Sequence, residues 1–333
     1  MKTDSKILVI QTAFIGDAIL ASSILETIRK CLPKAQIHLL VRKGNHSLYS
    51  DHPFLAKLHV WDKENGKYKN LRRILSSVRA EKYDLVLNLQ RFGATGLLTA
   101  LSGAKEKIGF SKNPFSFFFT KKFDHQIGDG THEIERNHQL VKSFTQVKPE
   151  KPKLYPSQNE LKKVEQLQRE KYITLSPTSV WFTKQWSENK WSSLIDAIPS
   201  SYKVYLLGSP ADRKACEKII ENTLHRNVQV LAGKLSLLES AAIMAKAEMN
   251  YCNDSAPMHL ASAMNAPTTA IFCSTVPAFG FGPLSDNSYV IETEEELTCR
   301  PCGLHGHKAC PKGHFKCSMT ISIRQALKPI EKG

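Results

Sequence analysis

The sequence predicts an α/β protein built from two Rossmann-like domains. Short apolar runs alternate with longer stretches of helical spacing, the pattern of a parallel sheet with helices on its faces. The pattern restarts after a polar, Pro-containing segment at residues 147–158. A chain of 333 residues, 41% hydrophobic and 23% charged, matches two medium domains. The boundary is set inside 147–165, giving domains 1–155 and 156–333, with the last helix free to pack back on the first.

The first apolar run, Ile7 to Ile10, leads through Thr12-Ala13-Phe14-Ile15-Gly16-Asp17 into a helix on which Leu20, Ile24, Ile28 and Leu32 share a face. Gln36 to Val41 and Asp84 to Leu89 are further strands, with Leu71, Ile74, Leu75 and Val78 at helical spacing between them. In the second half, strands are predicted near Tyr172 to Leu175, Lys203 to Leu207, Val228 to Leu231, Met249 to Cys252 and Thr268 to Cys273. The cleft between two such domains is the expected site.

Charge is uneven. Residues 1–160 carry 26 Lys and Arg against 15 Asp and Glu, and the rest of the chain carries 20 against 16. A field of this sign attracts nucleic acid, an anionic membrane face or a phosphorylated substrate, and also serves plain solubility. No apolar stretch approaches the roughly 18 residues of a membrane-spanning helix. The start runs directly into a strand, so a cytosolic protein with reduced cysteines is expected.

No G-x-G-x-x-G follows a strand and no G-x-x-x-x-G-K-[ST] occurs, which disfavours dehydrogenases and P-loop enzymes. Asp-x-Asp is also missing, so a diphosphate is expected to be held without a metal. Helix N-termini are the alternative holder, because their amides and dipole favour anions. Three junctions offer one. Ser176-Pro177-Thr178-Ser179 runs on to Lys184, a phosphate-neutralising candidate, before a helix that Ser187 is placed to cap. Gly208-Ser209-Pro210-Ala211-Asp212 follows a strand, and Asp212 is positioned to accept from a ribose hydroxyl. Asn253-Asp254-Ser255-Ala256-Pro257-Met258-His259 brings amides and hydroxyls to the sheet's carboxyl edge. Each alone also reads as an ordinary capped helix.

Taken in order, Phe14-Ile15-Gly16-Asp17, Tyr83 to Gln90, Gly103-Ala104-Lys105 with Ile108-Gly109-Phe110, Lys184-Gln185-Trp186 and Asn253 to His259 resemble the ADP-heptose:lipopolysaccharide heptosyltransferases, glycosyltransferase family 9. The ending, Cys299-Arg300-Pro301-Cys302 through Cys310 to Cys317, resembles the heptosyltransferase II branch more than the I branch. The resemblance implies a GT-B enzyme: two Rossmann-like domains whose parallel sheets face an interdomain cleft. Lipopolysaccharide core and lipid A, the acceptor, would sit on the first domain and ADP-heptose, the donor, on the second. Transfer of heptose from ADP-L-glycero-D-manno-heptose would invert the anomeric centre, need no cofactor or metal, and take place in the cytoplasm with peripheral contact at the inner membrane face.

By the same resemblance Asp17 is the catalytic base. Gly16, Gln90 and Arg91 are expected to attend the acceptor; Thr178, Ser179, Lys184, Asp254, Ser255, Ala256 and His259 match the family's donor motifs, and the junction reading adds Gly208 and Asp212 to the donor side. A sugar hydroxyl is a poor nucleophile, which is why a carboxylate is needed. Departing ADP gathers negative charge, which is why a cation and aligned amides are needed. Asp254 itself is expected to orient the loop or bond a hydroxyl. Related sequences commonly carry Pro-Gly-Ala near Ser176 to Ser179 and Gly at the position of Ala256, which leaves another nucleotide sugar open as donor. A non-catalytic protein binding sugar nucleotides or nucleic acid is the rival class, although nucleic acid is not an expected partner and no recognised RNA-binding motif is present.

Two motifs stand apart from the transfer chemistry. Pro114-Phe115-Ser116-Phe117-Phe118-Phe119-Thr120-Lys121-Lys122 sets rings beside cations, as suits a bilayer interface or, alternatively, a buried strand and basic turn. Cys299, Cys302, Cys310 and Cys317 are spaced C-x2-C-x7-C-x6-C with His305, His307 and His314 among them. Thiolate-rich zinc binding is chemically feasible there, and packed free thiols are the preferred reading.

Overall fold

Apolar runs become the strands of two six-stranded sheets in the computed structural model, which describes residues 2–331. The chain divides into one compact unit of residues 1–127 and 131–155 and a second of residues 128–130 and 156–333.

In the first unit, β1 (Lys6–Ile10), β2 (Gln36–Arg42), β3 (Leu55–Trp61), β4 (Leu85–Asn88), β5 (Glu106–Phe110) and β6 (Lys121–Phe123) lie in the order β3-β2-β1-β4-β5-β6. Every pairing is parallel. β1 and β4 are apolar and buried because helices cover a parallel sheet on both faces. Leu8, Ile10, Val86, Ile74 and Val78 share one core, the last two supplied by helix Lys67–Ala80. The helix expected after β1 is two helices, Ile15–Leu20 and Ser22–Cys31, and Ile24 and Ile28 of the second face the core as their spacing predicts.

The second unit repeats the plan. Its strands β7 (Tyr172–Ser176), β8 (Lys203–Leu206), β9 (Val228–Val230), β10 (Met249–Asn253), β11 (Thr268–Phe272) and β12 (Ser288–Glu292) run β12-β11-β10-β7-β8-β9, again all parallel. The closing helix Ile323–Glu331 uses its apolar face here: Ala326, Leu327 and Ile330 join this unit's core, and Tyr251 Oη donates to Ala326 O at 2.8 Å.

Four strands escaped the sequence reading: β3, β5, β6 and β12. Each mixes charged or polar residues into the run, and all but β5 lie at a sheet edge or are covered on one side only. Pro114 to Phe119 is not a buried strand. It is a loop with a short 3₁₀ turn at Ser116–Phe118, and only Phe119 of its aromatics is buried.

Both sheets have the doubly wound order in which the connections reverse direction between the first and fourth strand of the set. For the first sheet that point lies between β1 and β4, and for the second between β7 and β10.

Candidate active site

At the first reversal, β1 ends in Gln11 to Phe14 and helix Ile15–Leu20 begins, with Gly16 and Asp17 in its first turn. The loop is tightly tied. Thr12 Oγ1 donates to Gln90 Oε1 at 3.2 Å, and Gln90 Nε2 donates to Gln11 Oε1. Gln11 Oε1 also accepts from Ala13 N at 3.1 Å. Lys63 Nζ donates to Thr12 O and Oγ1 at 2.9 and 2.8 Å, and Asn45 Nδ2 donates to Ala13 O at 2.9 Å. The Asp17 carboxyl therefore stands on a fixed turn.

Asp17 is half-buried as a residue, and protein replaces much of the water around its carboxyl. Desolvation, with the negative charge of Glu133 second, pushes its pKa up to about 6; its own backbone, Arg91 and the Phe14 backbone oppose the rise. The result is a base that is ionised near neutrality yet basic enough to take a proton. Glu133 lies in a buried network with His125 Nε2 at 3.1 Å and Arg136 Nε at 2.8 Å. Burial works to raise its pKa, but those two partners hold it below the usual range, so it faces Asp17 as a carboxylate. Sequence reasoning missed this network. The signal was present as two acids and an arginine in Thr131 to Asn137, but nothing in that segment predicts that it reaches the end of β1.

The Gln90 side chain is buried and both ends of its amide are committed to the Gln11–Thr12 loop. It supports the turn that carries Asp17. Arg91, next along, is half-buried and near enough to oppose the rise of the Asp17 pKa.

At the second reversal, Ser176 ends β7 and the loop passes Thr178 and Ser179, both half-buried, to a 3₁₀ turn at Phe182–Lys184. Lys184 Nζ lies 2.6 Å from Asp254 Oδ2, which also accepts from Thr275 Oγ1 at 2.6 Å. The lysine's side chain is 14% exposed. Asp254 thus orients the cation, a more definite form of the loop-orienting role expected of it. Asn253 joins the two loops: its Oδ1 accepts from Trp186 N at 2.9 Å and its Nδ2 donates to Pro177 O at 2.8 Å. This residue was seen only as part of a motif, since its bonds span 67 and 76 positions of sequence.

Helix Ala256–Ala263 follows at once, with Ser255 at its N-cap. The Ser255 side chain makes no capping bond to the helix. It is half-buried, and its hydroxyl donates to Asn253 O at 3.4 Å. Ala256 opens the first turn and His259 is buried one turn along. Ser187 does occupy the N-cap of helix Glu188–Ala197, but it also makes no side-chain capping bond.

Gly208 and Asp212 together build the start of a helix. Asp212 Oδ2 accepts from Ser209 N at 2.7 Å and Ser209 Oγ at 2.6 Å, a capping box that starts the next helix. A Cβ on Gly208 would lie 2.8 Å from Asp212 Cβ, so the glycine is required by this cap.

The cysteine-rich segment packs beside the Lys184 turn. Thr183 Oγ1 accepts from His307 N at 2.8 Å and from Ser274 Oγ at 3.0 Å. Gly306 stands at φ +74°, and a Cβ added there would lie 2.8 Å from Thr183 Oγ1, so glycine is favoured on both counts. All eight cysteines are free thiols. Among the described residues, no three His, Cys, Asp or Glu side chains are grouped to hold a metal ion.

Two parallel six-stranded sheets of this order match the GT-B fold of heptosyltransferase structures. Residues 71–309 match glycosyltransferase family 9 (heptosyltransferase), more than two thirds of the chain, and the protein belongs to that family. Lipopolysaccharide heptosyltransferase 3 of Escherichia coli is 28% identical over 296 residues, covering 82% of this chain and 85% of that protein. A glycosyl transferase family 9 structure from Veillonella parvula superposes with a TM-score of 0.88 at 22% identity, covering 100% of this chain and 98% of that one. The Escherichia coli ADP-heptose lps heptosyltransferase II superposes with a TM-score of 0.80 at 21% identity, covering 98% of each chain.

Proposed function

We propose that the protein transfers heptose from ADP-L-glycero-D-manno-heptose to the inner core of lipopolysaccharide, with inversion and without a metal. The acceptor hydroxyl gives its proton to Asp17 and attacks the anomeric carbon. The bond from that carbon to the diphosphate oxygen breaks, and ADP leaves with the electron pair. Lys184, held by Asp254, meets the charge growing on the diphosphate. Thr178, Ser179, Ser255 and the amides opening helix Ala256–Ala263 supply further donors, and His259 backs that helix. Gly16 and Arg91 border the acceptor side of Asp17. The acceptor belongs to the first unit and the donor to the second. The reaction is assigned to the cytoplasm, with peripheral contact at the inner membrane face because the acceptor is lipid-linked. Among the described residues no helix is long and apolar enough to cross a membrane.

The observation that carries this reading is a carboxyl at the end of β1, on a half-buried residue, whose pKa is lifted to about 6. Support for the donor comes from the relatives, one of which is described as an ADP-heptose lps heptosyltransferase. The test is incubation with ADP-heptose and a panel of truncated core acceptors, with products weighed by mass spectrometry. A gain of one heptose on one acceptor is expected. Failure of every acceptor to gain a heptose overturns the assignment.

A further inference from the structure

Four large exposed aromatics of the first unit lie on loops along one edge of its sheet. Phe14 (71% exposed) follows β1, Phe92 (63%) follows β4, and Phe117 (70%) and Phe118 (53%) follow β5. In a parallel sheet these are all carboxyl ends, the edge that also carries Asp17. Isolated apolar residues on a surface are ordinary; a row of rings on one edge is not.

The β5 loop is built to hold its rings outward. Asn113 Nδ2 donates to Gln90 O at 3.0 Å and Phe92 O at 3.1 Å, and its Oδ1 accepts from Phe115 N at 3.0 Å. A Cβ on Gly96 would stand 1.9 Å from Asn113 Oδ1, so the asparagine is seated directly on helix Gly93–Leu101. Phe119 is buried and anchors the far side, while the turn Ser116–Phe118 buries none of its residues. Phe117 lies 4.2 Å from Phe118 and stacks on Phe115 at 6.4 Å, centroid to centroid. Folding leaves Phe117 and Phe118 on a firm mount and largely exposed.

Cations flank the tip. Lys112, Lys121 and Lys122 are exposed, and Lys121 sits 3.6 Å from Glu106. Asp124 is exposed and accepts a bond from Ser111 Oγ. A protruding ring pair bordered by lysines is complementary to a surface that is apolar within and anionic at its face, which is an anionic bilayer. The excess of positive charge in residues 1–160 has the same sign.

We propose that the loop 112–122 is a membrane-docking element: Phe117 and Phe118 enter an anionic phospholipid surface, and Lys112, Lys121 and Lys122 meet its phosphates. This deepens the proposed function, resting on its lipid-linked acceptor, because docking on this edge brings such an acceptor to the side of the unit that carries Asp17.

The test is flotation of the whole protein with phosphatidylcholine vesicles, with and without phosphatidylglycerol, at low and high salt. The protein is expected to float with the anionic vesicles at low salt and to be largely released at high salt. F117S/F118S should lower the bound fraction at least about tenfold, since two rings no longer enter the apolar layer. K121E/K122E should lower it similarly on anionic vesicles, whereas L224S, at an exposed leucine of the second unit, should change nothing. Equal flotation of F117S/F118S and wild type, or no flotation of wild type, overturns the proposal. So does a dimer of the wild-type protein that F117S/F118S abolishes, which would assign the rings to a second copy. Transfer to a delipidated, water-soluble core oligosaccharide is measured alongside and should be unchanged in F117S/F118S; loss of that activity would place the rings in the active site instead. If wild type transfers to no acceptor yet floats as described, the heptosyl reading fails while the docking surface stands.

Discussion

The two reversal points share a topology and differ in how each treats its carboxylate. Asp17 is half-buried, with an acid behind it and an arginine only near enough to moderate, and its pKa climbs to about 6. Asp254 is buried against Lys184 at 2.6 Å and Thr275 at 2.6 Å. Strand order chooses where a reactive loop lies, but neighbours choose whether its carboxylate takes protons or holds a cation. An unpaired, desolvated acid is suited to proton transfer; a paired one is suited to aiming positive charge at a leaving phosphate.

The sharpest way to break the comparison is to remove the base. Asp17→Asn should lower kcat by roughly 10³-fold, within the usual span for general-base catalysis, and leave ADP affinity within about twofold on calorimetric titration. A mutant that turns over like wild type would put the proton elsewhere. Next in size, Lys184→Ala should weaken donor binding by roughly 10- to 100-fold, and it should destabilise the fold by leaving Asp254 buried without its partner. Adding Asp254→Asn should recover the melting temperature but not the donor affinity. Recovery of both would reduce Lys184 to a structural ion pair.

A smaller effect separates the acids behind each site. Glu133→Gln removes a negative charge facing Asp17, so the Asp17 pKa should fall, and the acid limb of kcat/KM, centred near pH 6 in the wild type, should move to lower pH by roughly 0.5–1 unit. An unmoved limb would mean that Asp17 does not set it, or that Glu133 does not reach it. The smallest expected effect concerns stability. Burial lowers the pKa of His52 and His59 to about 4, against about 6.5 in an unfolded chain. Between those values the unfolded chain binds more protons, so stability is full above about pH 6.5, declines as pH falls, and levels off below about 4. Melting temperatures across that range should trace this slope, and replacing His59 by Gln should flatten it.

The central strands were legible in the sequence because each is an apolar run, the form a strand takes when both faces are covered. β3 carries Lys57 and His59, β5 begins Glu106-Lys107 and β6 is Lys121-Lys122-Phe123, so none shows that run. The candidate residues of the site were legible as motifs, since Asp17, Lys184 and Asp254 stand in the segments that follow β1, β7 and β10. Their partners were less so. The sequence offered Gln90 and Asp212 as ligand contacts, and packing used the first to brace the loop before Asp17 and the second to cap a helix.

What the sequence determined by itself was the two-domain α/β plan, the family and the loops that carry the chemistry, because periodicity and spacing are local properties of a chain. Tertiary structure alone decided what each of those groups faces: Glu133 behind Asp17, Asp254 on Lys184, Asn253 bridging two loops. Charge and hydrogen bonding act through space over a few ångströms, and side chains far apart along the chain come within that range only when it folds.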